Sequence, residues 1–402
     1  MTEVATPIVD ADLPFPRFSV AERDRRWGLV RGLMAREGLD AIIAPENTGH
    51  YDHWQSDTRY LTQVGGNCVD ASAILTMDHD AIAFVGEGSW PGLAAPHWGV
   101  RVLPTARYFA RAMIPAMHDL ELDHARIGVA GMELGLRAPE GTIKYGTMKK
   151  LIEAFPQATF VDATRLMQEA RYVKSDEEIA MLERSAAIAE KAVEAMIRTA
   201  RPGVRECEVY AEMIAAEIRE GGELPTMISW FSGPPGVRAQ RLTIASERVI
   251  SSPWYITQEC EARYAGYVSQ RMQPLYIGKL PNEFKAAFEA QNRALFACYE
   301  ILKPGTTFRQ LIETSLRSGE GSGFETPLTM HGRGLGDDAP LITGSAGLAM
   351  DMGEVKANCV FQLKPSAVRP GFDGITWADT VVATPNGARR LGKQPIEIAN
   401  VE

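Results

Sequence analysis

Cysteine is scarce in this 402-residue sequence. There are five (Cys68, Cys207, Cys260, Cys298, Cys359), odd in number, scattered and without any CxxC spacing. That usage excludes a thiolate zinc cluster and fits a reducing compartment. An excess of positive charge is also missing: 42 Lys and Arg stand against 51 Asp and Glu, a net charge of −9. Non-specific nucleic-acid binding needs a basic footprint, so no nucleic-acid partner is expected. No apolar run approaches the roughly 20 residues of a membrane-spanning helix, so no membrane partner is expected either. The opening segment "MTEVATPIVDADLPFP" has neither the basic nor the apolar region of a signal peptide, and the cytoplasm is the expected address. What is present is ordinary for a globular chain, 45% hydrophobic and 23% charged, with length enough for two domains that each bury a core.

The first part alternates between helix and strand. "AERDRRWGLVRGLMAREG" reads as an amphipathic helix with a glycine stop, and "LDAIIAP" as a buried strand. Short strands follow at "SAILTM", "AIAFVG", "RIGVAG" and "TFVDA", with a helix near "TIKYGTMKKLIEAF". The alternation predicts an α/β domain over residues 1–165.

The second part, residues 166–402, opens on the clearest helix of the chain. In "KSDEEIAMLERSAAIAEKAVEAMIRTARPG", Ser175 and Glu178 form a capping box. Ile179, Leu182, Ala186, Ala189, Val193 and Met196 recur at alternating spacings of three and four, and Pro202-Gly203 stops the helix. About a hundred residues later "NEFKAAFEAQNRALFACYEILKPG" repeats the design, ending at Pro304-Gly305. Each stop precedes a second helix, "ECEVYAEMIAAEI" or "FRQLIETSL", with an apolar anchor, Val209 or Leu311, seven residues beyond the proline. Strand-rich stretches follow both pairs, so an α+β domain with an internal two-fold repeat is predicted.

One of those strands carries an anomaly. "VFQLKPSAV" (360–368) is apolar and β-branched, closed by a proline, yet Lys364 stands inside it. A buried lysine is costly without a charge or chemical partner.

"RYAGYVSQR", "MHGRGLG", "VFQLKP" and "WADTVVAT" follow "YVKSDEEIAMLERSAAIAEKA" in order along the chain. In these five anchors the chain resembles the pita-bread fold family of creatinase, prolidase, aminopeptidase P and methionine aminopeptidase. The resemblance implies a creatinase-like N-terminal α/β domain and a pita-bread C-terminal domain. In the metal-dependent members two aspartates, a histidine and two glutamates hold a pair of divalent ions. Those positions fall here on Glu259, Gln270, His331, Lys364 and Ala378. The family pattern sums to −4 over the five positions, this chain to 0. At an effective dielectric of about 20, two cations four ångströms apart repel by roughly 4 kcal/mol per charge pair. A metal-free site without cofactor is therefore expected.

Lys364 then faces the former metal cavity with Glu259 as its nearest counter-charge. It serves there as a structural positive charge, as a base, or as a grip on a substrate carboxylate or oxyanion. His331 is either a satisfied polar group or a proton donor and acceptor of the pocket. Arg333 is either an anion clamp or the partner of Asp337 or Asp338. The Asp337–Asp338 pair reads as a solvated turn, although Asp338 matches the peptidases' second histidine and would then face the pocket. Creatinase works without metal, but its histidine falls on Gln240 and its glutamates on Met272 and Lys364, which excludes its known route. "GHYDHWQSDTRYL" gathers His50, Tyr51, His53, Trp54 and Arg59. This is either a mixed loop or, as the family's assembly implies, a lid lent across a homodimer.

The expected catalytic residues are thus His331, Glu259 and Lys364, with Gln240, Gln270, Arg333, Asp338, His53 and Arg59 binding a small-molecule substrate. The leading function is a metal-independent hydrolase or lyase acting on a small polar molecule. A non-catalytic binding protein ranks second, and a metal-dependent Xaa-Pro peptidase last.

Overall fold

The computed structural model describes residues 16–46, 56–65, 70–86, 95–133, 135–236, 246–344, 347–372 and 374–402. The chain forms two compact units, Met1–Glu177 with Leu335–Asp338, and Glu178–Gly334 with Ala339–Glu402.

The first unit holds strands β1 (Ala41–Ala44), β2 (Ala71–Thr76), β3 (Ile82–Val85), β4 (Arg101–Pro104), β5 (Arg126–Val129) and β6 (Thr159–Asp162). They form one mixed sheet in the order β4-β3-β2-β1-β5-β6. Its helices are α1 (Val20–Glu37), α2 (Ser56–Thr62), α3 (Phe109–Asp119), α4 (Tyr145–Ala154) and α5 (Thr164–Tyr172). Ile43, Ile74, Phe84 and Val129 of the sheet bury themselves with Phe109, Met113, Met117 and Leu151 of α3 and α4. All of β1 is buried, as expected for a central strand in an α/β layer. The strand β4 and the helices α2, α3 and α5 were not legible in the sequence. These are short elements, and α3 carries Pro115 in its interior, which weakens the helical signal.

The second unit opens with α6 (Asp176–Thr199) and α7 (Glu206–Arg219), then β7 (Ile228–Gly233), β8 (Trp254–Tyr264), β9 (Tyr267–Arg271) and β10 (Leu275–Ile277). The second helical pair is α8 (Asn282–Ile301) and α9 (Phe308–Ser318). After it come β11 (Leu328–Arg333), β12 (Asp337–Thr343), β13 (Leu348–Ala349), β14 (Val360–Pro365), β15 (Asp379–Thr384), β16 (Gly387–Arg390) and β17 (Ala399–Val401). One sheet runs β17-β10-β8-β7 with β9 paired to β8, and the other runs β13-β12-β11-β14-β15-β16.

The predicted two-fold repeat extends to backbone bonding. Gly203 and Gly305 both take positive φ, +92° and +87°, which glycine adopts without a Cβ penalty. The Gly203 N–H donates to the Ile250 carbonyl and the Ile250 N–H to Val204. Gly305, Val355 and Thr306 repeat that pair of bonds. Even the caps agree, since Glu208 accepts from the Arg205 N–H and Gln310 from the Thr307 N–H. Val209 and Leu311, the two anchors, are fully buried.

Two features aim side chains at a common face. The β8–β9 hairpin turns through Ala265 and Gly266, both at positive φ, the signature of a tight turn that matches strand twist. It sets Glu261 opposite Gln270. On β14, Phe361 packs edge-on against Phe308 of α9. Strand alternation therefore turns Gln362 and Lys364 the other way.

Candidate functional site

Lys364 is 5% exposed. Its Nζ donates to Glu259 Oε1 at 2.8 Å and to Gln270 Oε1 at 3.2 Å, and lies 3.2 Å from His331 Nε2. An ammonium has three protons and no lone pair, so these three acceptors engage all of them. His331 Nε2 is then the acceptor, which leaves the ring proton on Nδ1, 3.4 Å from the Gly332 carbonyl oxygen. The four residues come from β8, β9, β11 and β14, and all lie in the second unit. The sequence reading of Glu259 as the counter-charge of Lys364 matches this geometry.

Beyond this quartet the polar face continues. Gln270 Nε2 donates to Glu261 Oε1 at 3.1 Å, and Glu261 also accepts from Arg333 Nη2. Glu261 and Arg333 are buried, forming a second ion pair one residue-step along the face. Two cations thus alternate with two carboxylates, and the formal charge of the face is zero.

Glu261 was not singled out in the sequence. Its signal is the alternation in "ECE": residues 259 and 261 share one face of β8, while Cys260 joins the core on the other with Ile228 and Trp230. Behind the strand, Glu217 of α7 accepts from the Cys260 Sγ at 3.5 Å. Burial pushes the Glu217 carboxyl well above its ordinary range, and the nearby Glu261 charge pushes the same way. The Cys260 thiol is raised by burial and by Glu217.

Several expectations are corrected. Arg333 is held by Glu261, not by Asp337 or Asp338, because β8 of the other sheet brings Glu261 within reach of β11 while the two aspartates are engaged elsewhere. Asp337 and Asp338 are not a solvated turn. Both are buried at the start of β12, and both belong to the first unit. Asp337 accepts from Arg137, and Asp338 from Arg171 Nε at 3.0 Å and Lys174 Nζ at 2.8 Å. Burial alone would raise the Asp338 carboxyl, but the Lys174 and Arg171 charges outweigh it and hold it below its ordinary value. Arg59 lies half-buried on α2 of the first unit. Gln240 and His53, with His50, Tyr51 and Trp54, lie outside the described residues.

The donor set does not fit a pair of divalent ions. Where the metal-dependent pattern asks for four carboxylates, this face offers Glu259, the neutral Gln270, a lysine ammonium and Ala378. The Ala378 N–H donates to Met272 O, and its side chain is no ligand. Lys364 Nζ itself occupies the point on which the oxygen and nitrogen donors converge. Among the described residues no group of three or more His, Cys, Asp or Glu is placed to hold a metal ion.

Against known proteins, the model of metallopeptidase family M24 matches residues 180–385, just over half of the chain. An uncharacterised hydrolase/peptidase of Sinorhizobium fredii is 27% identical over 409 residues, covering 98% of this chain and 99% of its own. The Xaa-Pro dipeptidase of Pyrococcus furiosus is 30% identical over 270 residues, 64% of this chain and 74% of that protein. Among solved structures, an Xaa-Pro dipeptidase from Bacillus anthracis superposes with a TM-score of 0.75 at 21% identity, over 94% of this chain and 100% of that one. The prolidase from Pyrococcus horikoshii gives 0.73 at 20% identity, over 92% and 98%. These likenesses bear out the pita-bread fold and its two-domain architecture. They also side with the Xaa-Pro peptidases, which the sequence reading had ranked last.

Proposed function

The chain belongs to metallopeptidase family M24, and from that premise we propose a hydrolase that cleaves an amide-type bond in a small polar molecule, with Lys364 in place of a metal ion. The observation that carries this reading is the convergence of Glu259, Gln270 and His331 on the Lys364 ammonium. A fixed positive charge in a dry site polarises a carbonyl and stabilises the oxyanion that forms from it. Glu259 has the most solvent access of the quartet, with its side chain 14% exposed, and is the group placed to take a proton from attacking water. His331 and Gln270 hold Lys364 in place, and Arg333 holds Glu261 next to Gln270.

The test is turnover of Xaa-Pro dipeptides and simple amides by protein purified in chelator. The expected result is hydrolysis unchanged by chelator and abolished by Lys364→Met. Activity that appears only on adding Mn²⁺ or Co²⁺ would establish the second reading, a metal-dependent Xaa-Pro dipeptidase, which the P. furiosus relative favours. Cleavage without incorporation of solvent oxygen would make the enzyme a lyase, and ligand binding without turnover a non-catalytic member.

A homodimer in the cytoplasm completes the proposal. The described cysteines are free, which suits a reducing compartment. No helix among the described residues is long and apolar enough to cross a membrane. Sedimentation at micromolar concentration tests the assembly.

A further inference from the structure

The outward face of α8 differs from that of α6, its counterpart in the two-fold repeat. Glu289, Arg293, Phe296, Ala297 and Glu300 fall within about 100° of helical arc and line one open groove. Phe296 stands at its middle, 54% exposed, with its ring edge-on to that of buried Tyr299. Glu289, Arg293 and Glu300 are exposed and form no ion pair among the described residues. A lone exposed phenylalanine would need no explanation. The repeat supplies the contrast. Gly203 and Gly305 are 102 positions apart, as are Val209 and Leu311. The same offset sets Glu194 at the place of Phe296 and Lys191 at that of Arg293. Glu194 and Lys191 pair with each other at 2.8 Å on an exposed surface. One copy thus closes its solvent face with an internal ion pair, while the other leaves an aromatic ring between unpaired charges.

We propose that this face of α8 is a two-fold interface on which a second copy of the chain docks. The order of residues along the helix selects that occupant. An isologous interface needs a surface complementary to itself. With a two-fold axis passing between Phe296 and Ala297, two copies of α8 run antiparallel, and each residue meets the one equally far beyond the axis. Phe296 then packs on Ala297 of the second copy, a large side chain over a small one. Arg293 meets Glu300 of the second copy, and symmetry makes that contact twice. Large against small and opposite charges equally far from one point make the face self-complementary, which an unrelated partner does not require. The Phe296 ring already rests against Tyr299, so little side-chain freedom is lost on docking. A single helix pairing lies at the small end of specific interfaces, and the expected dissociation constant is on the order of micromolar. The inference rests on the homodimer proposed above and gives it a surface.

The experiment is sedimentation velocity of wild type, Phe296→Glu, Arg293→Glu and the charge-swapped double variant Arg293→Glu with Glu300→Arg, loaded from about 1 to about 100 μM. Wild type should dimerise across that range. Phe296→Glu should raise Kd about thirtyfold or more, the loss of a central aromatic anchor. Arg293→Glu sets like charges together on both sides of the axis and should raise Kd about tenfold or more. The double variant restores opposite charges and should recover most of the wild-type affinity. All three positions are exposed, so each variant should melt as wild type does. Should Phe296→Glu not fold, the two charge variants carry the test by themselves. A wild-type dimer undisturbed by Phe296→Glu and Arg293→Glu would overturn this interface and leave the homodimer on another surface. Weakening by Arg293→Glu that the swap does not reverse would overturn it too. A wild type still monomeric at about 100 μM would sink the interface and the homodimer together.

Discussion

Lys364 Nζ and Glu259 Oε1 lie 2.8 Å apart, bridging β14 and β8 across 105 positions of chain. Both side chains are largely withdrawn from water, 6% and 14% exposed. Removing one partner strands the other. Lys364→Met and Glu259→Gln should each cost about 3 kcal/mol, the lower end for a buried pair because Glu259 keeps some solvent. The double variant should recover much of the loss, and chemical denaturation of all four proteins measures the coupling. Additive losses would mean that the two groups do not stabilise each other.

Metal affinity should be recoverable by reversing the charge of the face. Lys364→Glu with Ala378→Glu and Gln270→Asp would bring the five donor positions from a formal charge of 0 to −4. The triple variant should gain Mn²⁺-dependent melting stabilisation and near-stoichiometric metal by elemental analysis. Wild type should hold well under one ion per chain. Tight binding of two ions by wild type would refute the misfit of its donor set.

Glu217 should make the protein less stable as pH rises. Burial raises its carboxyl in the fold, while the unfolded chain ionises near pH 4.3. Between the two values the folded state binds more protons than the unfolded state, so the contribution of Glu217 falls with increasing pH, by at most about 1.4 kcal/mol per unit. Glu217→Gln should remove this slope. Denaturation at pH 5 and pH 8 should show the variant gaining on wild type at the higher pH. An equal difference at both pH values would show that Glu217 is ionised in the fold.

The two helix stops should respond alike to substitution. Gly203 and Gly305 have open space where a Cβ would go, so alanine meets only the backbone penalty of positive φ. Gly203→Ala and Gly305→Ala should each cost about 1 kcal/mol or slightly more, and the pair should add. Thermal melts of the three variants check this. A several-fold difference between the single variants would break the equivalence of the two copies.

The features that the sequence determined by itself are local ones. The four helices of the second unit, their Pro-Gly stops and the alternating strands follow from periodicities of 3.6 and 2 and from the φ preference of glycine, all readable over a few residues. Lys364 was conspicuous for the same reason: a cation interrupting "VFQLKP" breaks a local pattern. Tertiary structure decided which partners meet. Arg333 chose Glu261, 72 positions away, over the aspartates four and five residues along. Asp337 and Asp338 left the surface for Arg137, Arg171 and Lys174 of the first unit. Ion pairs and hydrogen bonds act over about 3 Å. The packing of strands, sheets and helices decides which of many distant polar residues comes within that reach, and a chain read along its length does not display it.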